Sequence, residues 1–511
     1  MKVMKFHVMA LPVSAIILLA MISNPCVGRD KAGILPTALP ASHIYLQQSD
    51  ADNTMDGHVA QEDIASGKWR PAQLVEAGKR LFIAQFTVAD GAGRPGATGD
   101  STPTRRPLES GPQFARVAGP DANACVACHS MPVIGGAGGF SANVFAGQGA
   151  VHPQLFSTNP NLVAERGSPE IQGAGFIELL AREMTVELHG IRDTARKVAK
   201  ERGETVRLPL ITKGISFGFV SAKNTGELDL TEISGVDRDM VVRPWGQKGS
   251  VTSLRTFSVN AANLHHGMQA AERFGRHLTG TDDFDRDGIT NELTQGDITA
   301  LVLFQATLGV PGRVFPYDSH QRQQISLGER LFAASKCALC HVPTLSLNHT
   351  QFAEPGPYNL EGTLRQKDVP KVFTVDLNHV GPGPKPTPDG TGRVDVRLYS
   401  DLKRHVVSDP ERPHFGNEVL VEGLIPTDQF ITRRLWAVGN TAPYGHRGDL
   451  LSIRDAIYHH GGEAREARLE FESKPKAEQD AIVSFLRSMQ ILPEDSTLSR
   501  MESKKMALPY R

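Results

Sequence analysis

Apolar positions along this 511-residue chain fall into a few clear patterns. The first is a continuous run from Val8 to Ile22, behind Lys2 and Lys5 and ahead of the small residues Cys26-Val27-Gly28. It reads as an export signal over residues 1–28, cut before Arg29. The run is short for a membrane span, which favours cleavage, and Pro25 before Cys26 argues against a lipoprotein anchor. Two later stripes have helical spacing: Leu301, Phe304 and Leu308 before Pro311, and Ile482, Phe485 and Met489 before Pro493. Ser326 and Glu329 have capping-box spacing for a helix start ahead of Leu331 and Phe332. An earlier stretch, Ala77 to Phe82, echoes that helix. Ile177, Leu179 and Leu180 form an apolar cluster with no recognisable chemistry around it.

Cysteine usage turns this outline into chemistry. Four of the five cysteines lie in two Cys-x-x-Cys-His units, Cys125–Cys128–His129 and Cys337–Cys340–His341. In such a unit the thiols can form thioether links to haem vinyl groups while the histidine takes the iron from the proximal side. A zinc shared by the cysteine pairs would leave both histidines without a role. Two covalently bound c-type haems are therefore expected, with no mature cysteine left for a disulfide. Bacterial c-type haem is attached after export, so signal and cofactor both point to the periplasm. The formal charge of -1 offers no electrostatic case for nucleic acid or an anionic membrane. Forty-nine glycines and 33 prolines suggest a loop-rich protein whose core the porphyrin would help to fill.

Comparing the chain with itself extends the pattern. The turn beginning Trp245-Gly-Gln247-Lys-Gly249 parallels Tyr444-Gly-His446-Arg-Gly448, and Leu264-His265-His266-Gly267 parallels Tyr458-His459-His460-Gly461. Gly78 precedes Cys125 by 47 residues whereas Gly328 precedes Cys337 by 9, so the first copy carries a long Gly-, Pro- and Thr-rich loop. The expected fold is mainly α: two cytochrome c-like haem domains related by internal duplication, with long loops and an N-terminal extension. The expected boundaries are 29–110 for that extension, 111–315 for the first haem domain and 316–511 for the second.

A c-type haem needs a sixth ligand from outside its binding motif, and a neutral imidazole held by its other nitrogen serves well. His266 and His460, at matching places, are the candidates, with His265 and Met268 competing at the first haem. The alternative is that these histidines merely complement helix dipoles. Arg255 and Arg454 could neutralise haem propionates, or could form ordinary salt bridges. Asp283, Asp285 and Asp287 alternate ahead of Gly288, as a calcium loop requires, but position 12 is Thr294. A shorter calcium loop closed by Glu292 and a polar turn before a helix near Asp297 both fit.

With Cys337-Ala-Leu-Cys340-His341-Val-Pro-Thr-Leu and Thr441-Ala-Pro-Tyr444-Gly-His446-Arg-Gly448, the chain resembles the bacterial di-haem cytochrome c peroxidase superfamily and, within it, the di-haem oxidoreductase family. The resemblance covers most of the mature chain and is strongest from about Arg243 to Gly462. It implies that the sixth ligand of the electron-donating haem falls 14 residues beyond His446, which is His460. Family peroxidases commonly place Met there; a histidine would lower the haem potential. The resemblance also implies a pocket role for His446, a relay role for Trp245 unless it only braces its turn, and a distal acid–base Glu. Glu272 is the available candidate for that carboxylate.

The implied activity is peroxidase-like. Electrons from a small donor such as a cytochrome or cupredoxin would enter at the His341 haem and reduce hydrogen peroxide or another oxidant at the His129 haem. The alternatives are a non-catalytic bis-His electron carrier and an oxidase that modifies a partner protein through high-valent haem.

Overall fold

Pro71, with its φ already helical, opens α1 (Pro71–Ile83), which buries Leu74, Ala77, Leu81 and Phe82. The computed structural model describes residues 57–93, 122–139, 165–285, 287–418 and 422–492, with the backbone of short strands at 104–105, 115–116 and 141–143. The expected export segment with Cys26, much of the 29–110 extension and Pro493 lie outside the described residues. The chain divides into two units, Met1–Gln48 and Ser49–Arg511, and all that follows concerns the second.

The first Cys-x-x-Cys unit forms a single turn, α2 (Cys125–Cys128). The longest helix, α3 (Ala174–Arg202), runs between two glycines in left-handed conformation, Gly173 and Gly203. An antiparallel sheet of β1 (Val206–Thr212), β2 (Ile215–Ala222) and β3 (Leu228–Asp229) packs on it. Helix α4 (Leu254–Ala261) is capped by Ser253, whose hydroxyl accepts from the Thr256 N–H, and passes into a π-turn at Ala262–His266.

Thr294 and Asp297 cap α5 (Gln295–Ala306) reciprocally, each side chain accepting the other's backbone N–H at 2.9–3.1 Å. This helix is buried on all sides, from Ile298 through Phe304, and forms the centre of the core. Helix α6 (Ser319–Ala334) starts about two turns before the expected Ser326 cap, because Asp318 accepts from the Gln321 N–H at 2.7 Å. Two more helices, α7 (Ile453–Tyr458) and α8 (Lys476–Ser488), complete the frame around the second motif.

Two helix pairs set the backbone spacing. Gly78 on α1 lies so close to α5 that a Cβ would stand 1.9 Å from the Ala300 carbonyl oxygen. Gly328 on α6 meets α8 in the same way, 1.9 Å from the Ala481 oxygen. Phe82 then packs on Phe304, and Phe332 on Phe485, with ring centroids 5.2 and 5.4 Å apart.

The mainly α expectation is corrected. Helix takes 38% of the described structure and strand 15%, in six two-stranded sheets and one three-stranded sheet. Strands such as Leu345–Leu347 and Val394–Val396 bury alternate residues over three positions only. Such runs are too short for period-two patterning to stand out from loop. Two duplicated haem domains are not what the fold shows either. One apolar cluster extends from Val59 to Ile491 and takes in the strands after the second motif, including Leu345, Phe352 and Val394.

Gly328→Ala should destabilise the protein by about 1–3 kcal/mol or more, because backbone must move to admit the methyl group. Gly190→Ala on α3, where a Cβ meets nothing within 4 Å, should stabilise it by roughly 0.5–1 kcal/mol. Denaturant titration of the two variants checks the opposite signs.

Candidate functional site

The second motif follows α6 directly. Lys336, at φ 64°, turns the chain into the helical turn Cys337–Leu339, and His341 emerges 6.3 Å from the Phe332 ring. Its Nδ1–H donates to the Tyr399 carbonyl at 3.2 Å. His460 follows α7, and its Nδ1–H donates to the Ala456 carbonyl at 2.7 Å. The two rings lie with centroids 6.5 Å apart and planes tilted by 58°. Both Nε2 lone pairs are thereby left to a third party. Two metal–nitrogen bonds of about 2 Å and two half-rings of about 1 Å add to about 6 Å, so an iron fits between these imidazoles.

Protonation favours ligation as well. Each ring is only partly accessible, and the surrounding protein lowers the pKa of His341 to about 4, first through burial and then through His460. Burial likewise lowers His460. Both are neutral at pH 7, the state that binds metal. Arg468, fully buried, donates to the His460 carbonyl at 2.9 Å and holds the segment in place.

At the first motif His129 stands 6.3 Å from the Phe82 ring, matching His341 and Phe332 in distance. Burial again lowers its pKa to about 4. The Gly136 and Pro169 backbones favour its charged form against burial, and its Nδ1 makes no aligned hydrogen bond. His266, at the end of the π-turn, is buried; its Nδ1–H donates to the Ala122 carbonyl at 2.8 Å, and its Nε2 lies 3.5 Å from Cys125 Sγ. Gly267 must be glycine here, since a Cβ would stand 1.8 Å from the Gly93 oxygen and its φ is 72°. Met268 packs in the large apolar cluster, while His265 is half-buried and passes its carbonyl to the Ala122 N–H. The structure thus brings His266 to the first motif and His460 to the second.

The remaining candidates fall into separate clusters. Trp245 is buried, and its indole N–H donates to Glu178 at 3.2 Å. Glu272 is buried too and accepts two short bonds from Arg255, 2.7 and 2.9 Å. Arg255 spends its other donors on Glu354, Thr299 and the Gln295 carbonyl, so of its two expected roles it takes the salt bridge, in an internal ion cluster. Burial pushes Glu354 in that cluster up to about 7 despite Arg255. Arg454 pairs with Asp480 and Gln479. His446 is buried against Phe430, with its Nε2 2.6 Å from Glu418 Oε1 but off the line of a hydrogen bond. Arg166 and Lys248 also surround Glu418, at 3.0 and 3.7 Å.

Carboxylate oxygens of Asp283, Asp285 and Asp287 converge to within 4.8 Å of one another. Glu292, the candidate to close a short calcium loop, accepts from the Gln269 N–H at 2.6 Å through Oε2, tying the loop to the segment after Met268.

Sequence reasoning missed Asp401, His405 and Glu463. His405 Nε2 lies 2.8 Å from Asp401 and Nδ1 2.7 Å from Glu463, while Cys340 Sγ is 4.0 Å away. Both ring nitrogens meet carboxylates, so the imidazole carries both protons. The only available signal was Glu463 three residues after His460, which by itself resembles any helix-start acid.

Neither a protein-family model nor a curated protein sequence matches the chain. Among solved structures, hydrazine synthase of Kuenenia stuttgartiensis is similar over 86% of this chain and 98% of that one, at 12% identity and a TM-score of 0.31. A likeness that loose assigns neither fold nor activity. No described helix is long and apolar enough to cross a membrane.

His405 supplies a pH test. Burial opposes its charge, but Asp401 and Glu463 overcome this and push it up to about 11. A raised pKa stabilises fully below the unfolded value of about 6.5 and ceases to do so as pH climbs through the folded one. His405→Gln should therefore cost roughly 3 kcal/mol at pH 6, where it strands Asp401. The gap from wild type should narrow as pH approaches 11, as followed by denaturation midpoints across that window.

Proposed function

We propose that this chain is a di-haem c-type oxidoreductase. The observation that carries the reading is the facing pair His341 and His460, each neutral and each held by its Nδ1–H with Nε2 left over. One haem would be held by Cys337, Cys340, His341 and His460. The other would be held by Cys125, Cys128 and His129, with His266 as the candidate sixth ligand. When bound, two haems supply two one-electron stores, and reducing hydrogen peroxide to water takes two electrons and two protons.

The chain's own residues provide the setting. The Tyr399 and Ala456 carbonyls orient the imidazoles, and Phe332 and Phe415 wall the second site. His446 and Glu418 form a buried imidazole–carboxylate pair able to hold a proton. In this reading a small periplasmic electron donor, a cytochrome or cupredoxin, reduces the His341 side, and peroxide or a similar small oxidant reacts on the His129 side. A second reading, a bis-His electron carrier, is favoured by the approach of His266 to Cys125. The triad Asp283, Asp285 and Asp287 suits a calcium ion that would brace the segment following His266.

Protein matured with a working haem-attachment system should gain two haems by mass, one at each cysteine pair. His460→Ala should remove one low-spin signal from the low-temperature EPR spectrum and leave the other. Two haems with both low-spin signals intact in that variant would remove His460 from the scheme. A high-spin ferric signal in the half-reduced wild type would select the peroxidase over the carrier.

A further inference from the structure

The two motifs are joined through the protein on their proximal sides by residues that no sequence pattern singled out. On the first side, the segment 168–172 is laid along the loop that follows His129. Gly135 N–H donates to the His129 carbonyl at 2.8 Å, Ile171 N–H to the Gly135 carbonyl at 2.9 Å, and Gly138 N–H to the Ser168 carbonyl at 3.1 Å. On the second side, Leu435 N–H donates to the Leu398 carbonyl at 3.1 Å, next to Tyr399, whose own carbonyl receives His341. Glu170, in the first run and 1% exposed, reaches across to the segment that precedes Leu435. Its carboxylate accepts from Arg433 and, at 3.4 Å, from Arg434 Nε, while its backbone carbonyl accepts from Arg434 Nη2 at 3.1 Å.

Two indoles flank this ion cluster. Trp245 lies under the Arg434 guanidinium at 5.8 Å, and Trp436 is buried against Gly173, where a Cβ would strike its ring at 2.3 Å. Burial disfavours the Glu170 charge, yet Arg433 and Arg434 hold its pKa below the ordinary carboxylate value, so it stays ionised. That charge acts on the His129 imidazole, and the Arg433 carbonyl acts on His341.

We infer that Glu170, Arg433 and Arg434 form the coupling element between the two haem sites, setting their relative potentials and bridging the path between them. This rests on the di-haem reading above. With both haems bound, one electron would leave a ferrous haem at His341 for a ferric haem at His129, with no proton moved and no bond broken. These are positioning residues in the sense that they act through His129 and His341. A fixed carboxylate in a low-dielectric interior stabilises the ferric state of a nearby iron, and a fixed guanidinium destabilises it.

Opposite charges therefore give opposite signs. In potentiometric titration of the matured holoprotein, Glu170→Gln should raise the haem midpoints and Arg433→Gln should lower them. Each should slow inter-haem equilibration after a reductive pulse by about tenfold. Arg433 is partly exposed, so its variant tests the element even if Glu170→Gln folds poorly. General loosening of the structure would shift both variants in the same direction, and that result overturns the inference. So do unmoved potentials in variants that carry both haems. A wild-type chain that takes up no haem overturns the di-haem reading, and this inference with it.

Discussion

An imidazole offers a metal only the nitrogen that its surroundings leave over, and the architecture around both motifs follows from that constraint. His341, His460 and His266 each donate Nδ1–H to a backbone carbonyl, from Tyr399, Ala456 and Ala122 respectively. A hydrogen bond of this kind fixes tautomer and ring orientation together. It works only if the accepting carbonyls stand still relative to the Cys-x-x-Cys turns. Unpaired loop would not hold them still, whereas short paired strands do. Strand Leu345–Leu347 pairs with Val394–Val396 just ahead of Tyr399, and Arg404–Val406 pairs with Gln429–Ile431 beside it.

Rigid spacing begins with the helix pairs. Where Gly78 meets Ala300 and Gly328 meets Ala481, missing side chains let two backbones touch, and a phenylalanine one turn later fills the space toward the motif histidine. His129 and His341 thus stand against closely packed helix pairs, where the backbone has little room to relax. His266 is held differently. His266 ends a π-turn whose following glycine touches the Gly93 backbone, and π-turns tend to mark functional positions because they aim a side chain off the regular helical register.

Buried charge is the other organising theme. Arg255 with Glu272 and Glu354, Glu418 with Arg166, Glu170 with Arg433 and Arg434, and His405 with Asp401 and Glu463 are mostly removed from water, with only Arg433 and Glu463 reaching it. Such clusters contribute little net stability compared with apolar packing, but they are strongly directional. Each joins segments distant in sequence: Glu170 lies more than 260 residues before the arginines it binds. In a protein with small sheets and much loop, ion clusters hold segments in register where longer sheets would otherwise serve.

Local chemistry was legible in the residues themselves. The two Cys-x-x-Cys-His units, the His-His-Gly repeats and the acidic run at Asp283 depend on spacing along a few positions, and spacing is what a sequence displays. Helix stripes such as Leu301, Phe304 and Leu308 could be read for the same reason. The fold class could not, because three-residue strands carry too little alternation and because a similar order of motifs does not require two separate cores. Nor could the roles of Arg255, Glu272 and Glu292, since a charged side chain is paired by whatever the tertiary structure brings within about 4 Å. Sequence by itself displayed the cysteine and histidine spacings that suit haem; only the tertiary structure decided that the His460 and His341 rings lie 6.5 Å apart and that Glu170 reaches Arg433 and Arg434, because those distances are set by packing among segments far apart in sequence.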